Sequence, residues 1–264
     1  MKNSKKNPTE IVIITGNDLR HQYFLKQLNS KHNIAAVFIQ ESNFPTPNSE
    51  KQEESDAWSW FFERRNLFEK ETITPKLKIK TQNEPETFYL KYNDLNSLKT
   101  LSLIQRYSPG FIAVFGAGII KERILSSYPN SIYNLHVGIP EFYRGSSCNF
   151  WPIYNCDFKN LGATIHRVEK GIDTGKVAGE SFITLESTDS EQTLMWKTLQ
   201  VGTKLMEETI QKWKNNLLSL KKQERTGKLY KIKEFKPAAI LKVKKMVESG
   251  ELKSQLQLAL NKRI

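Results

Sequence analysis

The chain has 264 residues, 38% of them hydrophobic, with 40 Lys and Arg against 28 Asp and Glu for a formal net charge of +12. That length can bury a sizeable core as one large α/β domain with additions, and no run approaches the roughly 20 apolar residues of a membrane helix, so any membrane role is peripheral. The two cysteines, Cys148 and Cys156, match no zinc spacing and no apolar signal segment follows Met1, which excludes a disulfide framework and points to a reducing cytoplasm.

In chain order, residues 10–15 form a short β-branched run suited to a buried parallel strand, and Gly16-Asn17-Asp18 supplies a turn and a helix cap for residues 18–31. Asn17, Arg20 and His21 then lie where a strand's carboxyl end meets a helix N-terminus, a place that favours anions. They either hold a phosphate of the substrate or serve as ordinary caps. Residues 34–39 give a second strand, so the first two strands and their helix form a βαβ unit with the usual right-handed crossover. The polar, proline-containing residues 42–56 read as a surface loop.

Residues 55–70 carry Trp58, Phe61, Phe62, Arg65 and Phe68 at helical spacing. Such a stripe is ordinarily core packing, while Trp60 lies off it and is available to stack on a planar ligand. A short strand is expected at 77–80 and a helix at 93–106. Residues 110–116 form another apolar strand, followed by Ala117-Gly118-Ile119-Ile120, where glycines serve either close ligand approach or tight packing. A short helix over 120–127 leads into the run Ile132-Tyr133-Asn134-Leu135-His136.

Asn134 and His136 are two residues apart, so in an extended chain an amide and an imidazole project from one face. Together they can donate to an oxygen and move a proton. Val137-Gly138-Ile139-Pro140 and Phe142-Tyr143-Arg144-Gly145 follow. Arg144 either pairs with a phosphate or carboxylate through its planar fork or braces the loop through backbone carbonyls. Residues 146–154 begin a helical turn, with Asn149 toward the pocket. Residues 162–168 and 176–184 are strands joined by Glu169-Lys170-Gly171-Ile172-Asp173-Thr174-Gly175, a loop that delivers a carboxylate. His166, two strand positions from Thr164, reads as structural. A long helix spans 187–220, residues 228–235 alternate like an exposed strand, and residues 237–262 read as a basic amphipathic helix. Residues 221–264 hold 13 Lys and Arg against 4 Glu, so this tail is either an anion-binding segment or a solvated helix.

The Asn-x-His pair, the following Pro and Tyr-Arg-Gly, and Gly162-Ala-Thr-Ile-His166 with Gly171-Ile-Asp-Thr-Gly175 resemble the formyltransferases that use N10-formyltetrahydrofolate. The resemblance is best over residues 100–215 and looser toward the N-terminus. It implies a Rossmann-like formyltransferase core, a mostly parallel sheet flanked by helices, over residues 1–220 with an insertion at 42–95, and a short basic extension of hairpin or strand plus helix over 221–264. It implies Asn134, His136 and Asp173 as catalytic residues and Ala117, Gly118, Ile119, Ile172 and Gly175 as contacts of the folate, with no metal. Asn17, Arg20, His21, Arg144 and Gly145 would contact the acceptor. Where the family commonly has Pro and then Ser after the His, this chain has Val137 and Gly138, a departure that bears on the acceptor more than on the chemistry.

The function expected is transfer of a formyl group to the primary amine of a small phosphorylated acceptor, a nucleotide-linked amino sugar. Transfer-RNA formylating members append a second domain of about a hundred residues, as this resemblance has it, whereas 44 residues follow residue 220 here. Methionyl-tRNA or glycinamide ribonucleotide formylation, formyltetrahydrofolate hydrolysis and a non-catalytic binding module are the alternatives. Nucleic acid is not the expected partner, a homodimer is the assembly allowed for, and the cytoplasm is the expected location.

Overall fold

The structure, a computed structural model, describes residues 9–42, 47, 49 and 51–261. In chain order its elements are β1 (Ile11–Thr15), α1 (Leu19–Lys31), β2 (Ala36–Gln40), α2 (Gln52–Ile73), β3 (Glu86–Leu90), α3 (Leu98–Gln105), β4 (Phe111–Phe115), α4 (Glu122–Ser127), β5 (Ile132–His136), β6 (Tyr143–Gly145), α5 (Trp151–Tyr154), β7 (Gly162–Arg167), β8 (Val177–Phe182), α6 (Glu191–Lys214), β9 (Lys228–Tyr230), α7 (Pro237–Glu248) and α8 (Glu251–Asn261). The main sheet has the order β3-β2-β1-β4-β5-β7-β8. Its first five strands run parallel and the last two antiparallel.

The parallel strands β1, β2 and β4 are buried along their whole length and apolar but for the terminal Thr15 and Gln40, because helices cover both faces. On one face Tyr23, Phe24 and Leu28 of α1 and Leu199, Met206 and Ile210 of α6 pack on Ile11, Ile13 and Phe111. On the other, Leu101 and Ile104 of α3 and Ile124 of α4 pack on Val12, Ile14, Ile112 and Ile132. Helix α6 starts at Ser190, whose hydroxyl accepts from the Thr193 N–H while the Thr193 side chain caps the Ser190 N–H. It lies close on the sheet because Gly202 has no side chain. A Cβ there would meet the Ala163 Cβ at 2.8 Å and Leu135 Cδ2 at 3.1 Å.

A second apolar cluster joins α2, α5, α7 and α8, with Phe61, Phe150, Trp151, Ile240, Val243, Leu252 and Leu256 buried in it. The C-terminal residues therefore cover α2 with their apolar face and leave their lysines in water. Two local expectations change. Residues 74–77 form a 3-10 turn and the edge strand lies at β3 instead of 77–80, a segment that pairs parallel with β2. The polar stretch 42–56 falls partly outside the described residues (43–46, 48 and 50), and from Gln52 onward it is the first turn of α2. Among the described residues no helix is long and apolar enough to cross a membrane.

Candidate active site

The end of β5 gathers the chemistry. Tyr133 and Leu135 point into the core beneath α6, so the period of two sends Asn134 and His136 to the opposite face. Antiparallel pairing with β7 sets His166 directly across from Asn134 and Thr164 across from His136. The Asn134 amide nitrogen lies 3.2 Å from His166 Nε2 as a result. The β7–β8 connection then returns Asp173 between the two rings. Its Oδ2 is 3.4 Å from His136 Nδ1 and its Oδ1 is 3.3 Å from His166 Nε2. Asp173 has φ of +53°, a left-handed conformation that Asp tolerates better than most side chains, and the Gly145 N–H donates to its Oδ2 at 2.8 Å.

Two backbone carbonyls fix where the ring protons sit. His136 Nε2 is 2.8 Å from the Tyr143 carbonyl and His166 Nδ1 is 3.0 Å from the Arg167 carbonyl. A carbonyl only accepts, so these nitrogens carry the protons. In neutral rings the nitrogens that face Asp173 are therefore proton-free, and His166 Nε2 is free to accept from the Asn134 amide. Burial pulls the His136 imidazole down from its ordinary value, and the opposing attraction of Asp173 does not restore it. Burial by itself would raise the Asp173 carboxyl, but His136, His166 and the Gly145 N–H together hold it well below the usual carboxylate range. The cluster sets one ionised carboxylate 3.3–3.4 Å from the facing nitrogens of two imidazoles, close enough for a proton to pass among them. That arrangement accepts a proton.

The loop that carries Asp173 is clamped. Arg144 donates from Nε to the Gly227 carbonyl at 3.0 Å and from Nη1 to the Ile172 carbonyl at 3.1 Å, and Gln223 donates from Nε2 to the carbonyls of Asp173 and Gly175 at 2.8 and 2.9 Å. Of the two readings of Arg144, the loop brace is the one present. Gly145, φ +95°, packs against the Tyr230 carbonyl, and Gly175 against the Arg167 carbonyl, so close that a Cβ on either would overlap the oxygen. Gly138 serves the site similarly, since a Cβ there would lie 2.7 Å from the Cys148 Cβ and 2.9 Å from His136 Nε2. The glycine at 138 thus has a local reason. Burial, and then the Asp173 charge, push the Cys148 thiol well up, which leaves it no thiolate character.

At the β4 end, the Gly118 N–H donates to Gln40 Oε1 at 2.7 Å and the Ile119 carbonyl accepts from Asn96 at 2.9 Å, which holds Ala117-Gly118-Ile119 in place. Ile119 is 71% exposed and Ile172 40% exposed, two large apolar side chains on loops that flank β5. At the α1 terminus Asn17 is exposed, whereas Arg20 is engaged by Asp18 and, at 2.9 Å, by Glu69. His21 is buried and accepts the Asp18 N–H at Nδ1 (3.1 Å), with Gly16 and Gly116 packed on its ring. Burial, reinforced by Arg20, lowers it to about 3, so it is neutral and acts as a cap. Neither side chain is a free cation for a phosphate.

On the α1, α2 and α6 side, a cavity of about 610 Å³ opens beside the strand ends and is bordered by Gly16, Gly116, Val137, Ser146 and Asn149. Trp58 lines it, and Trp60, the residue singled out from sequence for stacking, instead faces Arg64 at 5.0 Å. His166, which the sequence reads as structural, instead faces Asp173 and Asn134, and Gln223 carries no signal in the sequence. The position of His166 follows from strand register and that of Gln223 from a contact 50 residues away, and only a Thr-x-His alternation hinted at the first. Among the described residues no group of three or more His, Cys, Asp and Glu is placed to hold a metal ion.

A family model described as Formyl transferase matches residues 9–210. The methionyl-tRNA formyltransferase of Finegoldia magna is 32% identical over 144 residues, 52% of this chain and 46% of that protein. The chain spans about half the length of several of the curated relatives it matches. Among solved structures, a 4-N formyltransferase from Francisella tularensis superposes with a TM-score of 0.56 at 15% identity, covering 86% of this chain and 78% of that one. A sugar 3N-formyl transferase solved in the presence of dTDP and 5-N-formyl-THF gives 0.53 at 16%, covering 86% and 71%. At these identities the structural likeness concerns the fold.

Proposed function

Because the chain belongs to the formyl transferase family, we propose that it moves a formyl group from N10-formyltetrahydrofolate to the primary amine of a small phosphorylated acceptor, a nucleotide-linked amino sugar. The observation that carries the reading is the Asp173 carboxylate set 3.3–3.4 Å from ring nitrogens of His136 and His166, beside the Asn134 amide.

The donor's pterin is a flat ring with one hydrogen-bonding edge, and the residues present fit it. Exposed Ile119 and Ile172 offer apolar surface on either side of β5, and the backbone of 117–119 is held rigid by Gln40 and Asn96. When bound, the folate supplies the formyl carbon and a nitrogen leaving group. Asn134 spends one amide N–H on His166 and keeps the other for the formyl oxygen, where charge develops as the amine attacks. Removing one such donor typically costs about 3–4 kcal/mol of transition-state stabilisation. Asp173 and the nitrogens facing it take the proton that leaves the amine, and His136, once protonated, holds it for return to the leaving nitrogen. Help of this kind is typically worth about 10² to 10⁴ in rate. Arg144 and Gln223 keep the carboxylate in position without touching the reacting atoms.

The test is the ultraviolet change as N10-formyltetrahydrofolate becomes tetrahydrofolate, measured with protein alone and with a panel of nucleotide-linked amino sugars. Conversion that needs one acceptor supports transfer, whereas conversion to formate without any acceptor would make the chain a hydrolase. Relatives named for methionyl-tRNA favour a second reading, an aminoacylated tRNA as acceptor. Including a charged tRNA in the panel decides between the two.

A further inference from the structure

Strand β6 joins no strand of the main sheet. Among the described residues its ladder partner is β9, in a two-stranded parallel sheet that sets Tyr143 opposite Lys228, Arg144 opposite Leu229 and Gly145 opposite Tyr230. The family match ends at residue 210, so the strand that meets β6 is supplied by the segment after α6.

In a strand the peptide groups of successive residues point to opposite edges. One edge of β6 faces β9, where the Lys228 N–H donates to the Phe142 carbonyl at 3.1 Å and the Ser146 N–H donates to the Tyr230 carbonyl at 2.8 Å. Groups between these turn the other way. On that second edge the Tyr143 carbonyl accepts from His136 Nε2 at 2.8 Å, and the Gly145 N–H donates to Asp173 Oδ2 at 2.8 Å. His136 and Asp173 thus take the place that a third strand would have. The spacing of two peptide groups along one edge fixes how the imidazole and the carboxylate face each other.

Side chains brace the same pair of strands. The Tyr230 ring stacks on Tyr143, with centroids 5.7 Å apart and planes at 19°, and on Trp151, at 4.5 Å and 18°. The Trp151 indole N–H donates to the Ser146 carbonyl at 2.9 Å, and the Asn155 amide donates to the Tyr230 hydroxyl at 3.2 Å. Arg144 ties the Gly227 carbonyl, just ahead of β9, to the loop that carries Asp173.

We propose that β9 is the positioning strand of the site: it holds β6 so that the other edge of β6 sets His136 and Asp173 against each other. The proposal rests on the reading of those two residues as the reacting pair. Lys228, through its N–H, and Tyr230, through its carbonyl and ring, are positioning residues and touch no reacting atom.

The test uses the full chain with Lys228→Pro, which removes the N–H given to Phe142, and Lys228→Ala, which keeps it. Lys228→Pro should lower kcat by about 10- to 100-fold, since a displacement of about 1 Å can cost that much, while folate affinity from calorimetry stays within a few-fold. Lys228→Ala should rescue the rate. A second readout needs no turnover. In protein carrying isotope-labelled histidine, the magnetic resonance signal of the proton between His136 and the Tyr143 carbonyl, identified by its loss in His136→Gln, should stay in place in Lys228→Ala and shift or exchange away in Lys228→Pro. Tyr230→Leu keeps the backbone groups of β9 and removes the stack, so it should give the same split between kcat and folate affinity even where proline at 228 prevents folding. A folded Lys228→Pro or Tyr230→Leu protein that melts lower yet keeps kcat within about threefold and the His136 signal unmoved would overturn the proposal, as would an equal loss of rate in Lys228→Ala. A signal that moves as described in proteins that convert no folate, wild type included, would support the positioning and count against the transferase reading alone.

Discussion

Asp173→Asn separates the charge at the site from its shape. The amide oxygen can keep the Gly145 N–H bond, now 2.8 Å long, and Asn adopts the left-handed backbone found at this position, φ +53°, at least as readily as Asp. The new amide nitrogen would face one of the two ring nitrogens now 3.3 and 3.4 Å from the carboxylate and donate to it when that ring is neutral. We therefore expect a stability loss below about 1 kcal/mol, or roughly 2–4 °C in melting temperature for a chain of this size. An amide cannot accept the amine's proton, so turnover should fall by about 10² to 10⁴, the usual worth of a positioned base, which is about 3–5 kcal/mol of barrier. The assay is the absorbance change of folate conversion under saturating acceptor, with folate affinity from calorimetry and folding from a melt. Folate affinity should stay within a few-fold. A folded Asp173→Asn protein that turns over within tenfold of wild type would remove the carboxylate from the chemistry.

Elsewhere in the fold, Gly202→Ala should cost about 1–3 kcal/mol by overpacking, because its Cβ would press on the Ala163 Cβ across the helix–sheet contact; a chemical denaturation curve measures this, and an unchanged midpoint would mean α6 can shift outward freely. Ile240→Ala, in the fully buried face of α7, should cost about 2–5 kcal/mol, a value that a merely appended tail would not produce. Acid should also weaken the protein. The His21 imidazole is held at about 3 in the folded chain against 6.5 ordinarily, mainly by burial, so below pH 6.5 the unfolded chain binds the proton first and stability falls by about 1.4 kcal/mol per pH unit until the folded value is reached. His32, lowered to about 4 by burial and then Lys214, adds in the same direction. Urea midpoints between pH 7 and 4.5 should slope accordingly, and His21→Gln should flatten the slope in that window; an equal slope in the variant would place the acid sensitivity elsewhere.

The candidate site was legible in the sequence wherever one chain segment sufficed. The Asn134 and His136 pair needs only the period of a strand, and the apolar runs of β1, β2 and β4 need only burial on both faces. These are local consequences of covalent geometry and hydrophobicity, so the residues determine them unaided. The place of His166 was not legible, because either strand alone permits several pairings and it is the register between β5 and β7 that opposes it to Asn134. One residue of slip would turn it to the other face. The clamp on Asp173 by Arg144 and Gln223, the quenching of Arg20 by Glu69, and the joining of α2 to Phe235 and α7 likewise depend on partners tens to more than a hundred residues apart. The amino-acid sequence by itself determined most of the strands, the Asn134–His136 pair and the loop that carries a carboxylate. Tertiary structure alone decided which charges remain free and which partners each ring nitrogen meets, because hydrogen-bond satisfaction and desolvation depend on what the fold brings together from outside each segment.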